Sequence, residues 1–195
     1  MPSNVEIKAI LRNRGAAEAI AARLSERRRE RIRQEDIFFY ADGARLKLRI
    51  LGPKRGELIR YERPDVAGIR GSHYLVARTS DPEAVREILA QTLGIRGVVR
   101  KTRTLYKVGQ TRIHIDRVEG LGDFLELEVV LRPGQTEMEG TAIAREILRN
   151  FMIEDDQIIA AAYVDLLAGR EHGKPPNLPG PRVSEDYGLL LETLG

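Results

Sequence analysis

Between Thr111 and Leu131 the chain reads TRIHIDRVEGLGDFLELEVVL, and no other stretch narrows the choice of fold as much. Two alternating runs follow one another, so each is a strand whose side chains fall on opposite faces. Ile113 and Ile115 oppose Arg112, His114 and Asp116; Leu125, Leu127 and Val129 oppose Phe124, Glu126 and Glu128. The pattern recurs upstream in ARLKLRIL, where Leu46, Leu48 and Ile50 oppose Arg45, Lys47 and Arg49. RKTRTLY adds Lys101 and Arg103, and SNVEIKAIL sets Val5 and Ile7 against Asn4, Glu6 and Lys8. Across these strands the polar faces are segregated by sign, one cationic and another acidic. A sheet face in water usually mixes the two, and for any single strand a solvated face is the ordinary explanation. A closed barrel offers another arrangement, with charged faces inside and apolar faces against surrounding helices.

The order of elements suits that arrangement. After the strand at 3–11, alanines and leucine at helical spacing predict a helix over 15–30, ending in the basic run Arg27–Arg29. Strand-like segments follow at 35–41, 44–51, 57–64 and 73–79, punctuated by Asp42-Gly43 and Gly52-Pro53. Asp81 and Pro82 open a second helix that closes at Gly94. Strands are expected at 97–109, 111–122 and 123–133, then a helix over 137–153 behind Thr136 and a closing helix over 154–169. Tight connections argue for antiparallel pairing, and the strand count for a barrel or strongly curved sheet. The stretch 171–195 opens rich in Pro and Gly and reads as an irregular tail.

Composition removes several function classes. There is no cysteine, which excludes disulfides, zinc–thiolate sites and a cysteine nucleophile and suits a cytoplasmic protein. Three separated histidines make a histidine metal cluster improbable, so a bound metal would sit on carboxylates, as Mg²⁺ or Mn²⁺ does. No apolar run approaches the ~20 residues of a membrane span, and the N-terminus lacks the marks of a secretory signal. Four Phe, six Tyr and no Trp provide no base-stacking pattern on the cationic strands, which argues against an RNA-binding barrel despite Arg27–Arg29.

Thirty-two Lys and Arg against twenty-nine Asp and Glu must all be placed, and unpaired charges out of water are costly. A polyanion with a divalent metal requires both signs: Arg and Lys for phosphate oxygens, carboxylates for the ion.

VEIKA, LKLRI, VVRKTRTLY and, above all, TRIHIDRVEGLGDFLELEVVL resemble the CYTH domain, or triphosphate tunnel metalloenzyme, family. The HxDxVEGLGxFxELE pattern at 114–128 is most similar to the class IV adenylyl cyclase branch. The resemblance covers residues 4–168. It implies an α+β fold: an eight-stranded antiparallel closed barrel with helices outside, as one catalytic domain over 1–170. It also implies a triphosphate ligand and Mg²⁺ or Mn²⁺. Matched by position, Lys8, Lys47, Arg49, Lys101, Arg103 and Arg112 are phosphate contacts, with Arg60 chosen on the fourth strand. Glu6, Glu126 and Glu128 match metal ligands, and Lys8 and Asp116 are the catalytic candidates. Two positions depart from the pattern: Asn4 stands where the family has a glutamate, and Glu62 where a lysine is usual, with Arg63 and Arg70 nearby. The implied reaction is conversion of ATP to a cyclic nucleotide and pyrophosphate. Triphosphate hydrolysis is the alternative, then a non-catalytic binder of phosphorylated ligands. A homodimer is left open.

Overall fold

The computed structural model describes residues 3–62 and 70–171. Its elements are β1 (Ser3–Ile10), α1 (Arg14–Leu24), β2 (Glu30–Phe39), β3 (Arg45–Gly52), β4 (Arg55–Glu62), β5 (Arg70–Thr79), α2 (Pro82–Leu93), β6 (Ile95–Val108), β7 (Thr111–Val118), β8 (Gly122–Val130), α3 (Glu137–Arg149) and α4 (Tyr163–Glu171), with a 3₁₀ turn at Asp155–Gln157. The strands form a closed barrel in the order β1-β5-β4-β3-β2-β6-β7-β8. Every pairing is antiparallel, and β1 closes the ring on β8 from Asn4↔Val130 to Ile10↔Phe124. The expected barrel is therefore present.

The apolar faces point outward. Val5, Ile7, Ile113, Ile115, Leu125 and Leu127 are buried beneath Ala17 and Ala21 of α1 and Ala144, Ile147 and Leu148 of α3. Leu48, Ile37 and Phe39 pack against Val85 and Leu89 of α2. α3 starts on a reciprocal cap, Thr136 to the Glu139 amide and Glu139 back to the Thr136 amide. It lies so close to the barrel that a Cβ on Gly140 would come within 2.5 Å of Leu131 and 2.9 Å of Val5. Among the described residues no helix is long and apolar enough to cross a membrane.

Two sequence expectations need correction. The first helix ends at Leu24, where Ser25 turns extended and donates its amide to Ala21. Of the predicted remainder, residues 25–29 form an irregular connection and only Glu30 enters β2, whose ten residues from Glu30 to Phe39 pair with β6. The closing helix is shorter too, starting only at Tyr163; residues 158–162 run across the barrel end, and the Ile159 amide bonds to the Lys8 carbonyl at 2.9 Å.

Candidate functional site

The barrel encloses a cavity of about 900 Å³ lined by the charged faces of its strands. On β6 and β2 exposure rises in one direction. On β6, Val99, Lys101 and Arg103 are buried, Leu105 is half-buried and Lys107 exposed; on β2, Phe38, Asp36 and Gln34 are buried, Ile32 half-buried and Glu30 exposed. The space is thus a cup with one mouth. Its floor is Phe38, Tyr61, Ala162 and Tyr163, the last supplied by the first residue of α4. A Cβ on Gly97 of β6 would lie 2.7 Å from Val164, so glycine there lets α4 seat against the barrel.

Above the floor two matching clamps repeat. On β6, Lys101 Nζ donates to Asp116 Oδ2 at 2.8 Å, and Arg103 grips both Asp116 oxygens at 2.7 Å through Nε and Nη2. On β3, Lys47 and Arg49 hold Asp36 in the same way, at 3.2 Å from Nζ and 3.0 Å from Nε. In each clamp a Lys-x-Arg pair faces one aspartate on the adjacent strand, with the arginine directly opposite it in register. Gln34 Nε2 adds two 3.0 Å bonds to Asp36, and the Tyr163 hydroxyl one of 3.3 Å to Asp116.

The lysines also rest on aromatic rings. Lys8 and Lys101 Nζ lie 4.2 and 5.0 Å from the Tyr163 centroid, and Lys47 Nζ lies 5.4 Å from Tyr61 and 5.6 Å from Phe38. Rings attract ammonium groups without neutralising them, which leaves net positive charge available to an anion.

Burial pushes the Asp36 carboxyl up, but Lys47, Arg49 and Lys101 outweigh it and hold it far below the usual carboxylate range. Asp116 behaves likewise, its burial outweighed by Arg103 and Lys101. Burial lowers the Lys47 and Lys101 ammonium groups, and Asp36 and Asp116 only partly offset it.

The acidic wall lies between the clamps and the mouth, on β1 and β8. Burial would raise Glu126, but Arg103, then His114, Lys101 and Lys8 keep it well below its ordinary value. Arg103 Nη2 reaches Glu126 at 3.1 Å, and Arg112 Nη1 reaches Glu128 at 3.2 Å. His114 stands between the two glutamates, its Nδ1 3.5 Å from Glu126 and its Nε2 3.9 Å from Glu128. Burial first, then Arg103, lowers its proton affinity. Asn4, only 2% exposed, donates Nδ2 to Glu128 at 2.7 Å and to Glu6 at 3.4 Å. Two carboxylates can only accept, so the amide must turn its donor end toward them.

Lys8, Lys47, Arg49, Lys101, Arg103, Arg112, Glu6, Glu126 and Glu128 all line this one cavity. Asp116 is 0% exposed and sits behind Lys101 and Arg103, with its oxygens occupied by them and by Tyr163. Among the described residues no three Asp, Glu, His or Cys groups converge as a ready-made metal cage. The donors are nonetheless oxygens on one wall. Their spread suits a hard ion held by one or two carboxylates, with phosphate oxygens and water completing its shell.

Arg60 is a correction: it is exposed, and β4 turns Glu57, Ile59 and Tyr61 inward instead. Apolar side chains stand on both faces of LIRYE, so its parity is not legible locally. Arg60→Ala is accordingly expected to change kcat/KM by less than about twofold in a steady-state assay. The side chains of Glu62, Arg63 and Arg70 lie outside the described residues, as does the tail from 172. Sequence reading missed Asp36, Gln34, Arg55, Arg78, Lys107 and Tyr163. For Asp36 a signal existed, since it lies two places from Phe38 on the inward face, opposite Arg49.

The CYTH domain model matches residues 3–163, and the chain belongs to that family. The Methanocaldococcus jannaschii protein named "Putative adenylate cyclase MJ0240" is 31% identical over 141 residues, 68% of this chain and 80% of its own length. Among solved structures, the PH1012 protein of Pyrococcus horikoshii superposes with a TM-score of 0.75 at 23% identity, over 84% of this chain and 98% of that one. The Hippeastrum protein HpAC1, described with a dominant triphosphatase activity, matches at TM-score 0.57 and 16% identity, over 91% and 99% of the two chains. At these identities the two structures establish the shared fold alone.

Proposed function

We propose that this CYTH-family chain is a divalent-metal-dependent enzyme that cleaves a triphosphate chain, in the manner of an adenylyl cyclase: ATP to cyclic AMP and pyrophosphate. The observation that carries the reading is the one-ended cup, with two Lys-x-Arg clamps near its floor and carboxylates on one wall toward its mouth. A triphosphate ester enters such a cup phosphate end first, because the cations are deep and the ester group is bulky.

Displacement at phosphorus runs with incoming and outgoing oxygens in line. Attack on the terminal phosphorus would come from the floor, where Tyr163, Phe38 and Ala162 stand. Attack on the α-phosphorus comes from the mouth, where the ester's own ribose lies. The 3′-oxygen bonds to the α-phosphorus, the bond to the bridging oxygen breaks, and pyrophosphate keeps that electron pair. The hydroxyl proton leaves on the mouth side, toward the wall of Glu6 and Glu128.

Lys8, Lys47, Arg49, Lys101, Arg103 and Arg112 bind the phosphate oxygens, and the arginines can do so bidentately. Lys8, fixed over the Tyr163 ring beside the Ala161 carbonyl, holds the inner end of the chain. Asp116 is a positioning residue that aims Lys101 and Arg103. Glu126, Glu128 and Glu6 would hold Mg²⁺ or Mn²⁺, which would supply charge neutralisation at the transferring phosphoryl group.

The test is to incubate purified protein with ATP or tripolyphosphate and Mg²⁺ or Mn²⁺. Cyclic AMP and pyrophosphate in equal amounts are expected from ATP. Orthophosphate without a cyclic product would replace this reading with the hydrolytic one, and no turnover of either compound would overturn both. Asn4→Glu adds a negative charge beside Glu6 and Glu128, so Mn²⁺ affinity by electron paramagnetic resonance titration should rise about tenfold. An unchanged affinity would place the metal away from Asn4.

A further inference from the structure

The inward faces of the strands are charged or polar through the middle of the cup, but three neighbouring strands each present an apolar residue toward the mouth. Leu51 of β3, Ile32 of β2 and Leu105 of β6 all line the cavity and are half-buried. Their strands are consecutive in the barrel. Each residue lies two places mouthward of a polar group on its own strand: Arg49, Gln34 and Arg103. Ile32 pairs with Arg103 and Leu105 with Glu30, so Ile32 and Leu105 are diagonal neighbours on one face. None of the three belongs to the apolar clusters that hold the helices to the barrel. Val76, 45% exposed, lines the cavity from β5, four places round the ring from β6. Basic residues flank this ledge: Arg55, Arg78, Lys107 and Arg112.

Apolar groups facing a charged, water-accessible cavity contribute little to the fold there, yet they offer a dry surface to a ligand. We infer that Leu51, Ile32 and Leu105 form a subsite for the flat apolar group of an organic triphosphate, a nucleobase, and so select nucleoside triphosphates over inorganic tripolyphosphate. The inference rests on the triphosphate reading above. With the phosphate chain drawn to the two clamps, whatever it is esterified to must lie at the level of the ledge. Inorganic tripolyphosphate fills the clamps and leaves the ledge wet.

The test compares two probes by calorimetry with Mg²⁺ present: a non-hydrolysable ATP analogue and tripolyphosphate. In the full chain, Ile32→Ser combined with Leu105→Ser should weaken the ATP analogue about tenfold or more, a loss on the scale of one stacked base. Tripolyphosphate affinity should change less than about twofold, because no cation is touched. Ile32→Thr keeps the β-branch and is the milder change, and it serves if the double variant does not fold; it should show the same selective loss at smaller size, about threefold. Equal losses for both probes, or none for either, would overturn the ledge while leaving the triphosphate site standing. Failure of both probes to bind the unmodified chain would instead remove the underlying reading.

Discussion

Glu126→Gln is expected to lower kcat/KM for ATP by at least about a hundredfold while the barrel stays folded. The substitution keeps size and shape but removes the negative charge that Arg103, His114 and Lys8 maintain at this position. An amide at Glu126 would offer a metal one neutral oxygen, and its NH₂ group would meet the Arg103 guanidinium 3.1 Å away as a second donor. The fold should survive because Arg103 retains its two 2.7 Å bonds to Asp116 and is not left as an uncompensated buried charge. Three measurements decide the matter together: kcat/KM from cyclic AMP release, Mn²⁺ affinity, and the circular dichroism melt. An unchanged Mn²⁺ affinity, in an active or an inactive variant, would take Glu126 out of the metal-holding role, and full activity despite weakened Mn²⁺ binding would overturn the expected loss of turnover.

The second large effect concerns stability. Asp116→Ala removes the carboxylate that Lys101 and Arg103 both hold, and all three side chains are buried. Breaking a buried ion pair from one side costs about 3–5 kcal/mol, which for a chain of this size lowers Tm by roughly 10 °C. The loss should be partly reversible by ligand. Tripolyphosphate brings negative charge to the same two cations, so it should raise the Tm of the variant more than that of the unmodified protein. Equal ligand shifts would mean that Lys101 and Arg103 do not meet the phosphate chain.

The same clamps set the acid limit of the fold. Asp36 and Asp116 are both depressed below their unfolded values near 3.9. A depressed carboxylate contributes stability that is fully present above the unfolded pKa and lost as pH falls through the folded one. The two carboxylates therefore keep their full contribution above their unfolded values, and the losses they cause begin as pH falls below about 4.

How much of this was legible in the sequence differs from strand to strand. β1, β3, β7 and β8 could be read because in the middle of each the apolar residues fall on one face and the charged ones on the other. Register slips are then forbidden, and the charged face is identified by elimination. β4 could not be read in this way: Leu58 packs outward with the α2 cluster while Ile59 and Tyr61 line the cavity, and Arg60 was assigned to the wrong face. β2 was read only in part: the strand expected at 35–41 carries Asp36, whereas residues 30–34 were missed, and the ladder to β6 makes them strand. Tyr163 had no local signal at all, since a tyrosine at the start of an apolar helix looks like ordinary core.

By itself, the sequence determined that these strands carry an apolar face and a charged one, because side chains alternate with a period of two. The closed barrel was what the family resemblance implied, and an open, solvated sheet would alternate in the same way. The phosphate and metal candidates were what the resemblance implied, and most of them lie on strands whose charged face was legible from the alternation. Only the tertiary structure decided that the barrel is a cup with an aromatic floor and an apolar ledge at its mouth. Those features join residues far apart in the chain, such as Lys8 with Tyr163 or Ile32 with Leu105, and no local pattern encodes a contact whose partners meet only when the ring closes.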